Sequence, residues 1–207
     1  TYGPLRPLHS GHYGNWAPHP TDALMRLLTS MKDEQGRILI PGYLDEVVPI
    51  SERERQAIAA MPVVDKTLQG QLALGRVEGG GERLEETIMR PAINMVGIQA
   101  GGVKEQARNI IVPTATASLD LRLVKAQTIP AVRRAFEQHL RAEGFFITHE
   151  EPTAAQRREH PRVIKLDWDG GYPAYRSSID SAAARRVAEI LTAYDGQSPL
   201  LTPTMGG

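Results

Sequence analysis

An α+β fold, with a ferredoxin-like four-stranded antiparallel sheet and two helices on one face, is the architecture predicted by three features of the sequence. Ala115, Ala117, Leu119, Leu121 and Leu123 alternate with Thr116, Ser118, Asp120 and Arg122, giving a strand with one apolar and one polar face. Two stretches, Leu24/Leu27/Leu28/Met31 and Ile129/Val132/Phe136/Leu140, place apolar residues at helical spacing. Short β-branched or aromatic segments bounded by glycine and proline supply the remaining strands.

The chain opens with Gly3–Trp16, a loop rich in glycine and proline that carries His9, Ser10, His12, Tyr13 and Trp16. Pro20-Thr21-Asp22 then predicts a helix start, with Thr21 as N-cap and Asp22 in the first turn, running to Gly36. Arg37–Pro41 is expected as a strand. Residues 42–91 are less strongly patterned and form an insertion. Within it, Ser51 caps a helix that Pro62 ends, the charges of Glu52–Arg55 lie on its solvated face, and Glu82–Arg90 is a second short helix. Period two returns in Ile93–Gly101 and Asn109–Val124, separated by a loop. Thr128-Ile129-Pro130 opens the next helix, Gly144 stops it, and Phe145–His149 closes the sheet. Val163–Trp168 is a further strand, Asp169–Tyr175 a turn, and Asp180-Ser181 the cap of a helix striped by Val187, Ile190, Leu191 and Tyr194. A chain that starts Thr-Tyr-Gly without Met and stops at Met-Gly-Gly is expected to be a piece of a longer protein.

Composition narrows the function. With 24 Lys+Arg against 24 Asp+Glu, no net field favours nucleic acid or an anionic membrane. Zero cysteines removes disulfides, thiolate metal sites and cysteine nucleophiles, and suits the cytoplasm, the expected compartment. No apolar run approaches the roughly 20 residues of a membrane helix.

Chemistry is sought first at His9. Three readings stand for it: a hydrogen bond within its own glycine-rich turn, an electrophilic or general-acid group offered to a substrate, or one ligand of a three-histidine site with His12 and His19. Arg122 shares the polar strand face with Asp120, which suits a same-face ion pair; its guanidinium fork equally suits a substrate carboxylate. Neither GxxxxGK[ST] nor GxGxxG follows a strand, so Gly101-Gly102 is not a phosphate loop.

The set LHSGHYGNW, NIIVPTATASLDLRLV, DGGYPAYRSSIDSAAARRV and the terminal PTMGG resembles the dinuclear-zinc metallopeptidase family that includes carnosinase-type dipeptidases, aminoacylase and acetylornithine deacetylase. The resemblance is to that family's lid, or dimerisation, domain. It implies residues 1–160 as the lid, with 42–91 inserted, and 161–207 as the return into a truncated α/β piece of the catalytic domain. It further implies a homodimer formed through the lid sheet, with no nucleic acid or membrane partner and a peptide or acyl-amino-acid substrate. Two zinc ions would be held in the parent enzyme by segments outside this chain, so the fragment alone is expected to hold no cofactor and to be inactive. By the same resemblance His9 stabilises the oxyanion in the partner subunit's site, Arg122 grips the substrate carboxylate, and Asn109 and the Gly206-Gly207 pair contact substrate. The proline of the Asn109 segment falls one place later than in the family, at Pro113. A different class of function, a non-catalytic ferredoxin-like module for small-molecule binding or assembly, fits the same fold pattern.

Overall fold

The computed structural model describes residues 1–203. A first short strand and helix, β1 (Leu8–His9) and α1 (Ser10–Tyr13), lie in the opening segment, followed by α2 (Pro20–Met31). The insertion holds α3 (Glu52–Ala60), α4 (Asp65–Gln71) and α5 (Leu84–Thr87). Then come β2 (Ala92–Gln99), β3 (Ile110–Ile111), β4 (Thr116–Arg122) and α6 (Ile129–Ala142). The chain continues through β5 (Phe146–Thr148), α7 (Ala154–Glu159), β6 (Val163–Lys165) and α8 (Ala182–Asp195).

The α+β composition matches expectation, but the strand pairing does not. Instead of one four-stranded antiparallel sheet, the described residues form three two-stranded ladders: β1–β3 and β2–β4 antiparallel, and β5–β6 parallel. The segment Arg37–Pro41 is not a strand and contributes one isolated bridge, Lys32↔Ile38. The reason is local. Asp33 accepts backbone hydrogen bonds from Gln35 and Arg37 and turns the chain back on the end of α2, so Leu39 N–H bonds to Met31 C=O and Ile40 drops into the core. A strand unannounced by periodicity takes part instead. Thr1 and Ala115 exchange two backbone bonds, Gly3 donates to Pro113, and Tyr2 bridges both Thr114 and Val163.

Helix α2 begins two residues earlier than predicted. Pro20 sits in its first turn, where its missing N–H costs nothing, and His19, not Thr21, is the N-cap. Helix α6 starts as expected, with Thr128 Oγ1 accepting from Ala131 N, and ends just before Gly144, whose φ of +81° suits glycine. Ser51 and Glu54 form a reciprocal capping box on α3.

The two stripes and the alternating strand meet as the pattern requires. Leu24, Leu27, Leu28 and Met31 of α2 join Val132, Phe136 and Leu140 of α6, with Ile93, Ala115, Ile40 and Tyr43, in one buried cluster. Ala117, Leu119, Leu121 and Leu123 pack against it but remain partly open. Burying each such large side chain contributes about 1.5–3 kcal/mol, so the helix–sheet seam is the main source of stability.

Between α2 and α6, the ring of His139 is buried and lies 2.8 Å from Ser30 Oγ. Burial lowers its pKa below the usual 6.5, with Glu143 nearby opposing the shift. The folded state therefore holds a neutral ring where the unfolded chain takes up a proton. Stability from this site is complete above the unfolded value and falls as pH drops through 6.5 toward the folded pKa. Replacing His139→Gln is expected to flatten the pH dependence of the urea midpoint below 6.5, measured between pH 5 and pH 8; an unchanged slope would place that dependence elsewhere.

Candidate functional site

His9 ends β1 and caps α1. Its Nδ1 accepts from Gly11 N at 3.1 Å, so the proton of the neutral ring sits on Nε2. The ring is exposed and rests 4.6 Å from the His12 ring, centroid to centroid. Glycine at 11 leaves the ring unhindered, because a Cβ there would lie 3.1 Å from His9 Cε1 and press on it. At Gly14 a Cβ would meet Ser10 O at 2.6 Å, which fixes the tight exit from the α1 turn. Tyr13 and Trp16 follow with ring centroids 6.0 Å apart, and Trp16 is 79% exposed. The motif thus presents an imidazole and an aromatic pair outward from a rigid turn.

The turn is tied to the strand behind it. His9 pairs with Ile110, and Ser10 N donates to Asn109 O at 2.9 Å. Asn109 is exposed and meets the turn through its backbone carbonyl. Arg122 lies at the other end of the same run of chain. From Thr116 to Arg122, β4 advances six steps of about 3.4 Å, roughly 20 Å, so Arg122 is not part of the His9–Asn109 cluster. Its Nε bonds Asp120 Oδ2 at 2.8 Å, as the ion-pair reading expects. Both side chains are well exposed, where such a pair is worth about 0–1 kcal/mol, and the terminal guanidinium nitrogens can still take a second carboxylate. Gly206 and Gly207 lie outside the described residues.

Metal binding by the histidines finds no support in the geometry. Among the described residues, no group of three or more His, Cys, Asp or Glu side chains is placed to hold an ion, and His19 sits at the start of α2 apart from the His9–His12 pair. The principal cavity is lined by apolar residues of α2, β4 and α6 and does not include His9 or Asn109, so His9 faces open solvent. Among the described residues His9 joins no group of three His, Cys, Asp or Glu side chains, and beside the His12 ring the turn offers one outward N–H donor.

One interaction was hidden within a charge run. Glu54, in the segment read as a solvated helix face, is buried against Arg176 at 3.4 Å, while Glu52, Arg53 and Arg55 are exposed as expected. Glu54 stays below the ordinary carboxylate pKa: burial opposes ionisation, but hydrogen bonds from Ser51 and the charge of Arg176 outweigh it. The Ser51-x-x-Glu54 spacing announced the cap, but nothing in the sequence announced an arginine more than a hundred residues away.

Comparison with known proteins follows the same geometry. The profile of a peptidase dimerisation domain matches residues 6–145, from the loop before His9 through α6. Cysteinylglycine-S-conjugate dipeptidase of Corynebacterium striatum is 33% identical over 138 residues, covering 67% of this chain and 29% of that protein. Human Beta-Ala-His dipeptidase is 30% identical over 137 residues, covering 64% of this chain and 26% of its own length. Among solved structures, the M20 family metallo-carboxypeptidase Sso-CP2 of Sulfolobus solfataricus superposes with a TM-score of 0.73 at 22% identity, over 100% of this chain and 50% of that one. Human carnosine dipeptidase 1 gives 0.71 at 21% identity, over 99% and 44%. The chain therefore spans half or less of the relatives it matches. With its turn, strands and both core helices inside the matched span, the chain belongs to the peptidase dimerisation domain family.

Proposed function

We propose that this chain is the lid and dimerisation domain of a metal-dependent dipeptidase or related amidohydrolase, and that it presents His9 to an active site built by the partner subunit of a homodimer. The observation that supports this most is the display of His9 outside the principal cavity. Its Nδ1 is engaged by Gly11 N, its ring is exposed beside that of His12, and among the described residues it joins no group of three His, Cys, Asp or Glu side chains. Two of the relatives at 30% identity or more carry dipeptidase names, which gives the substrate class.

The chemistry asked of His9 is modest and suits the geometry. With Nδ1 engaged by a backbone N–H, Nε2–H is the free donor and points away from the turn. Such a donor, aimed at the oxygen that gains charge as a peptide carbonyl becomes tetrahedral, stabilises the transition state more than the substrate. Asn109, tied to the turn through its backbone carbonyl, would contact substrate with its exposed side chain. Arg122, at the far end of β4, would meet the terminal carboxylate with its free guanidinium edge only in the assembled enzyme. Among the described residues no donor set fits the two zinc ions of the proposed parent, so their ligands would come from other segments, and the 207 residues alone would be inactive.

The division of the chain fits the same reading. Helix α8 buries none of its residues, and its stripe of Val187, Ile190, Leu191 and Tyr194 is exposed, as expected if it packs onto a catalytic domain, whereas β6 pairs with β5 and buries Val163 and Ile164, so on this reading the lid runs past residue 160 through β6. Among the described residues no helix is long and apolar enough to cross a membrane.

Two measurements address His9. Nitrogen NMR of the neutral ring should show Nδ1 as the unprotonated acceptor and Nε2 as protonated; the opposite tautomer would remove the outward donor. In the full-length parent, His9→Ala should lower kcat by about 10²–10³ with metal content and dimerisation unchanged. Wild-type turnover in that variant would take His9 out of the mechanism.

A further inference from the structure

The segment 166–181, between β6 and α8, contains no helix or strand, and most of its residues are exposed. Its first part is held by the core. Leu166 N bonds Thr148 O, the Trp168 ring packs edge-on to Phe136, and Arg133 donates to Asp169 O. Past Asp169 that support ends. Among the described residues, the two ion pairs that tie residues 170–181 to the rest of the chain both go to α3 of the insertion: Arg176 Nε to Glu54 Oε1 at 3.4 Å, and Arg53 Nε to Asp180 Oδ1 at 3.6 Å. The two differ in kind. The side chains of Arg176 and Glu54 are 6% and 8% exposed, whereas those of Arg53 and Asp180 are both 56% exposed.

Glu54 is built into α3 so that it can hold a cation. Its Oε2 accepts from Ser51 N and Ser51 Oγ, both at 2.8 Å, which leaves Oε1 for Arg176. At the other end of α3, Arg83 donates to Met61 O and Pro62 O, and Ile58 is buried. The insertion is pinned to the core where it begins. Gln127 Nε2 donates to Tyr43 O at 2.8 Å, and Glu46 accepts from both Thr128 N and Thr128 Oγ1 at the start of α6. A path of bonds therefore runs from the N-terminus of α6 through the insertion to Arg176. It ends beside α8, whose N-cap, Ser181, directly follows Asp180.

We infer that the insertion, residues 42–91, is a brace for the chain as it leaves β6: α3 grips Arg176 through Glu54 and thereby fixes where α8 begins. Helix α8 buries none of its own residues, so its placement depends on this hold. Burial decides which pair does the work. A buried carboxylate that loses its cation is left as an uncompensated charge, so opening the Glu54–Arg176 pair is costly, while the solvated Arg53–Asp180 pair contributes little. The inference rests on contacts within the chain and not on the peptidase reading.

Limited proteolysis of the 207-residue chain tests it, because an exposed, irregular segment is cut readily unless something holds it closed. Trypsin takes an arginine side chain into its own pocket, so cleavage after Arg176 requires the pair to open. Glu54→Gln keeps a residue that can serve the capping box and removes the charge. It should speed that cut about 100-fold, as expected for breaking one partner of a buried ion pair, while Arg53→Ala leaves the rate within about twofold of wild type. Cleavage in α6, after Arg134 or Arg141, should stay as slow as in wild type, which separates release of the segment from unfolding of the core. The double variant Glu54→Gln/Arg176→Met buries no lone charge and keeps the test open should the single variant fail to fold. In it, chymotrypsin should cut after Tyr175, which is 81% exposed, about 100-fold faster than in wild type. A cut after Arg176 that Glu54→Gln leaves unchanged, an equal acceleration by Arg53→Ala, or a wild-type rate at Tyr175 in the double variant would overturn the inference.

Discussion

The alternation of apolar and polar residues along Ala115–Leu123 is the constraint on which the structure turns. Because successive side chains of a strand point to opposite faces, this run commits one face to α2 and α6 and the other to solvent, and a slip of one residue would exchange them. The position of each helix follows from that face, as does the register of β2, whose Ile93 is buried opposite Leu121. The same continuous stretch reaches back through Pro113 to Asn109, where β1 is hung on β3 and the His9 turn on β1. A packing requirement in the core thereby sets the position of a side chain at the surface.

That link explains why the turn is so specialised. Its stability comes from backbone bonds to a strand whose own position is fixed by the core, so none of its side chains is needed for packing and all are free to be displayed. Gly14 is required by a close approach to Ser10 O, and the bond from Gly11 N sets the imidazole's orientation while leaving it and the indole of Trp16 exposed. On the proposed reading, the imidazole meets substrate in a partner subunit.

Local signals in the sequence were read well where local physics decides. The caps at Ser51, Thr128 and Ser181, the stripes of α2 and α6, and the face of β4 all depend on residues within one or two turns of each other. Non-local pairing was less legible. Arg37–Pro41 has strand composition, yet Asp33 captures its backbone first, and the parallel β5–β6 pair depends on a partner that periodicity does not name. Thr1–Gly3 carries too few residues for a period, although it forms the hinge between two ladders. For the site, the resemblance implied substrate roles for His9, Asn109 and Arg122 without placing them; Asn109 meets the His9 turn through its backbone carbonyl, while Arg122 stands a strand length away. The buried Glu54–Arg176 pair was unreadable because an ion pair across such a separation leaves no spacing in the sequence.

The central claim, that His9 serves a site other than one on its own subunit, is tested most directly by hybrid dimers of the full-length parent. One subunit carries His9→Ala and the other a substitution that disables its own catalytic domain, so each homodimer is inactive. In the hybrid, the intact catalytic domain of the first subunit faces the intact His9 of the second, and the account predicts recovery of one working site per dimer. Hybrid dimers that form in full yield and stay as inactive as both homodimers would contradict it.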